Sequence, residues 1–535
     1  MAKIFKLIKE RLFLFIIGTI TSLCSGLFAS KVIFTIKEGL DDINDIDDYF
    51  LIRLVVYSVL STAVAVGSTY FMVKITTIIV RKLTQSLSEK VLMANFEYVE
   101  SIAPKIVPVL TREIVVLSDF TNKMPQFIMS VTTVLVTLSK MAQTNLSLTL
   151  LFLGIFSMQA MITILTFPYL KKFNRGANAN KNILFKDLAN LVSGLKELSL
   201  NSRRRKKYIA NVITDDIKQV NTAQVQRTVF FNFTDKISEL LVFLFCGFLM
   251  YFGIKKFEMD YEEFKTFLPT VLFLIPFTIK ISAFFRHYNV AQIAIEQIEK
   301  LGVDIDNQKV DSNKQLDTTS SFDNPILTFE NITFQYIKQQ HEKKIVFGPL
   351  NLAINRNEIT MIIGGNGSGK TTFSKIISGL YVPKQGQVYY KNQKIDQSNI
   401  LAYRDRFSAY YTDSHVFEQL DHVNQEFMDK NAKDFISLLE LDKKVNIKGD
   451  KFSTINLSFG QKSRLSLIAN MLDDKEIYLF DEWAANQDPY FKSVFYYKIL
   501  PYLKERGKTV IVISHDEKYF DIADNVIELK EGMVN

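Results

Sequence analysis

Residues 359–380 read ITMIIGGNGSGKTTFSKIISGL: a short apolar run, a glycine-rich turn and then an apolar pattern of helical period. The turn, Gly364-Gly365-Asn366-Gly367-Ser368-Gly369-Lys370-Thr371, fits G-x-x-x-x-G-K-[ST] and lies between a predicted strand and a predicted helix, the setting in which that spacing has physical meaning. Glycines let backbone N–H groups close around phosphate oxygens, and the helix N-terminus adds partial positive charge. Lys370 is expected to neutralise the phosphates and the Thr371 hydroxyl to ligate magnesium, with Thr372 beside it at the nucleotide.

A second apolar run, Ile477-Tyr478-Leu479-Phe480, ends in Asp481-Glu482. Ligands collect at the carboxyl ends of parallel strands, so Asp481 is expected to hold magnesium through water and Glu482 to polarise an attacking water as general base. From Ile326 to the end, short β-runs alternate with helical patterns, which predicts an α/β domain on a mostly parallel sheet. Leu457-Ser458-Phe459-Gly460-Gln461 precedes the helix KSRLSLIANML, with Ser458 placed as an N-cap.

The N-terminal half is of another kind. Apolar runs at 12–34, 50–73, 125–144, 146–167, 237–254 and 267–285 have about the 20-residue length needed to cross a hydrocarbon core. Six in under 300 residues predict a six-helix membrane domain over 1–300, with a tight hairpin at Gln143 to Asn145. The basic start, Met1 to Arg11, and the apolar run after it lack a small-residue cleavage site, so the run is read as a span rather than a signal peptide. Residues 35–48 carry six acids against Lys37, whereas 169–236 carries fourteen Lys/Arg against five acids. Positive loops stay inside, so both termini and the segments 74–124 and 169–236 are expected in the cytoplasm, and 35–48 and 255–265 outside. Both inner segments keep helical periodicity, as in LFKDLANLVSGLKEL (184–198), and predict helices projecting into the cytoplasm. DIDNQKVDSNKQLDTTSSFDNP (304–325) loses nearly all apolar content; a linker is expected over 301–325 and a nucleotide-binding domain over 326–535.

These motifs together resemble the ABC transporters. Leu457 to Gln461 is similar to the family's signature, usually LSGGQ, with Phe459 in place of the first paired glycine. The resemblance implies that Tyr336 stacks on adenine, that Asp488 in AANQD belongs to the loop after the second strand, and that Ser514-His515 supplies the histidine sensing the γ-phosphate. Asp413, in RFSAYYTDSHVFEQL, stands where the family has a glutamine; it is expected to accept from magnesium-bound water with an added charge and a shorter reach. Six spans fused to one ATP-binding domain imply an exporter-type half-transporter, with a P-loop of one copy facing the signature of another and a homodimer as the default. FEYVESI (96–102), GLKELSLN (194–201) and DEWAANQDPYFKSVFY (481–496), with the only tryptophan at Trp483, resemble the subgroup exporting cyclic peptides and siderophore precursors, associated with pyoverdine, syringomycin and microcin. Other exporters of processed peptides carry a cysteine-protease domain ahead of the first span; with about eleven residues before the first span, no such domain is expected here.

Within or near the spans lie Lys140, Glu239 and Lys280, with Arg53 and Lys74 nearer the ends. Intramembrane charges face a cavity or a partner, so Lys140, Glu239 and Lys280 with Phe273, Phe277 and Phe284 are candidates for a cavity receiving a polar peptide; interfacial lysines are the competing reading. Pro269 and Pro276 are expected to kink the sixth span.

Composition agrees with this division. The 535 residues are 48% hydrophobic and 13% aromatic, which excludes a disordered chain, and the only cysteines, Cys24 and Cys246, sit in apolar runs without zinc-ligand spacing. The net charge of +8 is concentrated in predicted cytoplasmic loops, and even Arg203 to Lys207 is better explained by topology than by nucleic acid. The expected function is ATP-driven export of a modified peptide across a bacterial inner membrane, with ATP and Mg2+ as cofactors. A lipid flippase or multidrug exporter, and a membrane-tethered regulatory ATPase, are the alternatives.

Overall fold

A computed structural model describes residues 12–41, 47–253, 261–306, 314–316, 324–336 and 346–534. The basic N-terminal stretch, Asp42 and Asp45 of the first outer loop, part of the second outer loop and most of the expected linker lie outside the described residues. By its internal contacts the chain divides into two units, Met1–Glu89 with Pro104–Asp304 and Lys90–Ala103 with Ile305–Asn535.

The first unit is helical. Its long helices are Leu12–Asp41, Phe50–Leu92, Ile114–Thr144, Leu146–Ser193, Thr214–Phe248 and Tyr261–Asp306; they carry five of the six predicted runs whole and 237–248 of the other. Among the described residues, four stretches are long and apolar enough to span a bilayer: Leu12–Leu40, Phe50–Leu92, Leu146–Ser193 and Phe267–Asp306. The runs at 125–144 and 237–254 do not meet that measure. Ser130, Thr132, Thr133, Thr137 and Lys140 dilute the first, and the second is divided between the helix ending at Phe248 and a π-helical turn, Leu249–Gly253. The hydroxyls point to helix packing: Thr133 donates to the Gly26 carbonyl at 3.2 Å, and a Cβ at Gly26 would lie 2.7 Å from the Met129 carbonyl oxygen. Small residues and hydroxyls allow such close approach where burying apolar surface supplies no net drive.

The tight hairpin is present. The first of its helices stops at Thr144, and extended Asn145 caps the second through its side chain, which accepts from the Leu148 N–H at 3.1 Å. Helix Leu146–Ser193 runs far beyond the apolar stretch and ends at Gly194, after which GLKELSLN forms the short helix Leu195–Leu200. Pro269 and Pro276 both lie inside one continuous helix.

The second unit is built on two sheets. Its strands are β1 Leu327–Gln335, β2 Val346–Ile354, β3 Ile359–Ile363, β4 Gln385–Tyr390, β5 Gln393–Ile395, β6 Phe407–Tyr410, β7 Ile447–Lys448, β8 Lys451–Phe452, β9 Ile477–Asp481, β10 Thr509–Ile513, β11 Asn525–Lys530 and β12 Met533–Val534. The antiparallel sheet has the order β2-β1-β4-β5, and the larger sheet the order β12-β11-β3-β10-β9-β6. In the larger sheet every pairing from β11 to β6 is parallel. Its central strands β3, β9 and β10 are buried on both faces, which is why ITMII, IYLF and TVIVI read as unbroken apolar runs.

Parallel pairing brings the carboxyl ends of β3, β9, β10 and β6 to one edge. Ile513 is in register with both Ile362 and Asp481, so the residues that follow each strand meet there. Helix Lys370–Ile377 leaves β3 and buries Phe373 against Phe329 and Phe347, which anchors the glycine-rich loop between the two sheets.

Candidate functional site

The loop 364–369 shows why its glycines are there. Gly364 has φ +148, and a Cβ would come within 2.2 Å of the Leu529 carbonyl oxygen. Gly369, at φ +96, caps the helix in the left-handed region, and a Cβ there would meet the Phe347 ring at 2.7 Å. Gly367 is left-handed too, at φ +80, but has open space around it, so only backbone conformation calls for glycine there. Lys370 is buried and curls back over the loop, with Nζ donating to the Gly364 and Gly365 carbonyls at 2.9 Å each. Burial pushes its ammonium down from the usual lysine range, against the opposing charges of Glu482 and Asp481.

Asp481, at the end of β9, is 2% exposed. Its Oδ2 accepts from the Ser374 hydroxyl at 3.0 Å, whereas its Oδ1 has no partner among the described residues. Burial pushes this carboxyl up to about 6; the Ser374 hydroxyl opposes the rise and Glu482 adds to it. The Ser368 hydroxyl is likewise buried without a partner among the described residues. A buried hard carboxylate oxygen, nearby hydroxyls and a loop held in shape by Gly364, Gly367 and Gly369 form a donor set that fits a phosphate chain and a magnesium ion.

Glu482 follows in the left-handed region, at φ 55 and ψ 34, and its N–H donates to the Ile513 carbonyl at 3.1 Å. Its Oε1 lies 3.3 Å from Nε2 of His515, the residue two past the end of β10. The neighbouring Ser514 hydroxyl is buried and hydrogen-bonds the Tyr496 hydroxyl at 2.6 Å. Asp413 is exposed, three residues beyond β6, and Thr412 before it donates to the Asp481 carbonyl at 3.4 Å. Thr371, Thr372, Asp413, Asp481, Glu482 and His515 therefore all flank the carboxyl edge of one sheet.

Tyr336, just past β1, donates or accepts at 2.7 Å with the Thr372 hydroxyl and leaves 42% of its surface exposed. Leu457 leads into Ser458, which caps helix Phe459–Leu472 through a capping box with Gln461; the Ser458 N–H donates to the Gln461 side-chain oxygen at 3.3 Å. Phe459 is 61% exposed at the first helical position, and Gly460 follows it. Asp488 caps the helix that starts at Pro489, accepting from the Phe491 N–H at 3.1 Å. Asn366 lies in the glycine-rich turn itself.

Sequence reasoning missed Ser374, although its place four residues after Lys370 on a helix put it on the same face. It also left open what receives FEYVESI. Glu100 accepts from Lys375 Nζ at 2.9 Å and from the Tyr381 hydroxyl at 2.7 Å, and Lys384 reaches Glu97 at 3.4 Å. Burial pushes Glu100 up, but the bonds from Lys375 and Tyr381 outweigh it and hold the carboxyl low. Tyr381 in turn stacks on Phe334 at 4.8 Å and meets Tyr336 edge-on at 5.9 Å.

The membrane candidates are placed in separate local contacts. Lys140 Nζ sits 3.9 Å above the Phe34 ring, Lys280 lies 5.4 Å from the ring of Phe277 on its own helix, and Glu239 pairs with Lys236 at 2.5 Å. Phe284 stacks on Phe127 at 4.0 Å, and Phe273 is 39% exposed.

The family model for the ABC transporter transmembrane region matches residues 12–286, and the one described as ABC transporter matches residues 347–485. The chain belongs to the ABC transporter family, and its second unit is an ATP-binding domain whose ATP hydrolysis is coupled to transport. Over nearly its whole length it is similar to the ATP-binding protein SyrD of Pseudomonas syringae pv. syringae, at 29% identity over 96% of this chain and 92% of that protein. Its ATP-binding part is similar to the energy-coupling factor transporter ATP-binding protein EcfA1 of Mycoplasma mobile, at 29% identity over 40% of this chain and 80% of the relative. A solved bacterial Atm1-family ABC exporter with ATP bound shares the fold at a TM-score of 0.79 and 14% identity, covering 97% of this chain and 94% of that one.

Proposed function

We propose that the protein exports a cyclic or otherwise modified peptide, or a siderophore precursor, across a bacterial inner membrane, and that it works as a homodimer with both termini in the cytoplasm. The chain-long similarity to the ATP-binding protein SyrD, from the membrane helices through the ATP-binding domain, supports an exporter with both parts in one chain, and motifs of the chain itself carry the peptide reading. FEYVESI, GLKELSLN and DEWAANQDP, which resemble the peptide and siderophore exporters, support it.

In this reading ATP lies along the glycine-rich loop. Backbone N–H groups of 364–369 and the start of helix Lys370–Ile377 hold its phosphates, and Lys370 exchanges its bonds to the Gly364 and Gly365 carbonyls for phosphate oxygens. The partly exposed ring of Tyr336 is available to adenine. Thr371, Asp481 and Asp413 would hold Mg2+, which supplies charge neutralisation at the β- and γ-phosphates when bound. Glu482 orients water and accepts its proton, and His515, 3.3 Å away, holds that carboxylate at the γ-phosphate end. Signature residues Leu457 to Gln461 of a second copy close over the nucleotide. Residues 90–103 carry the closure toward the membrane helices, because Glu100 is bonded to a lysine of the phosphate-binding helix and to the tyrosine behind Tyr336.

The test is ATP-dependent uptake into inside-out vesicles containing the full chain, with a cyclic lipid-free peptide, a linear peptide of the same composition, a fluorescent lipid and a hydrophobic drug as cargoes. Saturable uptake of the cyclic peptide with matching stimulation of ATP hydrolysis is expected. Uptake of lipid or drug alone would replace the peptide reading, and no uptake of any cargo would favour a regulatory ATPase.

A further inference from the structure

Trp483 has no part in the chemistry above, yet it is buried and hydrogen-bonded directly beside it. It is 1% exposed, its ring lies 4.6 Å from that of Phe495, and its Nε1 donates to the Ser463 carbonyl at 3.0 Å. Ser463 belongs to helix Phe459–Leu472, the helix that the signature residues open. Four residues on, Gln487 is nearly buried and its Nε2 approaches the Gly460 carbonyl at 3.5 Å. The segment after Glu482 is thus bound at both ends to the first turns of the signature helix.

Glu482 itself adopts a left-handed backbone that non-glycine residues take up only when their surroundings impose it. Besides the Ala485 N–H bond to its carbonyl and the His515 contact of its carboxylate, two restraints tie its backbone to neighbouring elements. On one side its N–H is bonded to Ile513 at the end of β10; on the other the chain continues directly into Trp483, whose indole is fixed to the signature helix. Indole N–H is a donor with no counterpart in phenylalanine, and a helix carbonyl is an acceptor with no freedom to move by itself. A shift of the signature helix is therefore passed to the turn that aims the Glu482 carboxylate.

We propose that Trp483 is a positioning residue that locks the turn bearing Glu482 to the signature helix of the same chain, so that the two ATP sites of a dimer change state together. The proposal rests on the homodimer reading, in which the signature of one copy covers the ATP held by the other. Engagement of that signature by the partner's ATP then sets the aim of Glu482 at the copy's own site.

The test is ATP hydrolysis against ATP concentration by the full chain in lipid nanodiscs. The wild type is expected to show a Hill coefficient clearly above 1. Trp483→Phe keeps an aromatic ring against Phe495 and removes only the indole donor; it is expected to bring the Hill coefficient to about 1 and to lower kcat about three- to tenfold with half-saturating ATP unchanged, the worth of one buried hydrogen bond. A variant that keeps the wild-type Hill coefficient overturns the coupling role while leaving the dimer intact. A wild-type coefficient of 1 removes the two-site reading and this inference with it. A second measurement needs no change at Trp483, because it is the only tryptophan. In Glu482→Gln protein its emission is expected to stay shielded from acrylamide both with ADP and with MgATP; quenching that rises with MgATP would show that the tie opens, and would overturn the proposal.

Discussion

Replacing Asp481 by asparagine is expected to strengthen the fold and abolish turnover at once. The carboxyl is 2% exposed and raised from its ordinary 3.8 to about 6, chiefly by burial. At about 1.36 kcal/mol per pH unit, holding it ionised at pH 7.5 costs the folded protein about 3 kcal/mol. An acid whose folded value is raised loses stability as pH climbs from the unfolded value through the folded one, so this penalty is absent below pH 4, about half present at pH 5 and complete above pH 6 or so. Asparagine carries no such penalty, and its side-chain oxygen can still accept from Ser374. Its amide N–H groups would replace Oδ1, which has no partner among the described residues, and that returns about 1–2 kcal/mol. The net gain is therefore about 1–2 kcal/mol, or a rise of about 2–8 °C in the melting of a domain of this size at pH 7.5. Scanning calorimetry of nucleotide-free Asp481→Asn and wild-type protein from pH 5 to pH 8, paired with an ATPase assay, reads both effects. A variant that melts lower at pH 7.5, or a difference that does not shrink toward pH 5, would refute the electrostatic account.

Glu482→Gln should retain ATP binding with turnover reduced at least about a hundredfold, as measured by nucleotide trapping and phosphate release; near-normal hydrolysis would show that another group takes the proton. Tyr336→Ala should raise half-saturating ATP about five- to 150-fold, the range of one aromatic stacking contact, while Tyr336→Phe, which loses only the bond to Thr372, should change it little. Gly364→Ala forces a Cβ to within 2.2 Å of a carbonyl oxygen and should eliminate ATP binding, whereas Gly367→Ala, with open space around it, should yield folded protein that still binds; equal damage from both would contradict the loop geometry. Glu100→Lys should leave basal hydrolysis within about twofold but cut cargo-stimulated hydrolysis about fivefold, as expected for a half-exposed ion pair, and adding Lys375→Glu should restore stimulation.

The parts of the site that could be read in the sequence are those whose partners are neighbours in the chain. GGNGSGKT and the acid pair after IYLF carry their strand, turn and helix with them, so their placement follows from local pattern. The Ser458 cap and its partner Gln461 are three residues apart and were equally accessible. Contacts across long separations were not. Glu100 and Lys375 are brought together over 275 residues, and neither the helical period of FEYVESI nor the composition of helix Lys370–Ile377 names the other as partner. The membrane half shows the same limit in another form. Apolar runs locate helices well, but the Thr133 bond to Gly26 depends on which helices touch, and the hydroxyls that make the contact also lower the hydropathy by which a span is recognised.

Asp413 shows how a local departure acquires meaning from the sheet. In sequence it is a single acid in a family position for a neutral amide. In the fold, β6 lies beside β9, so Asp413 follows one strand while Asp481 ends its neighbour and Glu482 follows it, with Thr412 bonded back to the Asp481 carbonyl. Three carboxylates then share an edge with one buried lysine, and burial has already pushed one of those carboxylates upward. Such an arrangement gains most from a divalent cation bound together with the phosphates, since the cation offsets the excess negative charge that Lys370 leaves and the phosphates would otherwise add to it. Under the proposed function a third carboxylate in place of a neutral amide would shift the balance of the site toward the metal, and ATP is expected to bind at least about tenfold more weakly with EDTA than with magnesium; equal affinity in a nucleotide-binding assay would refute this.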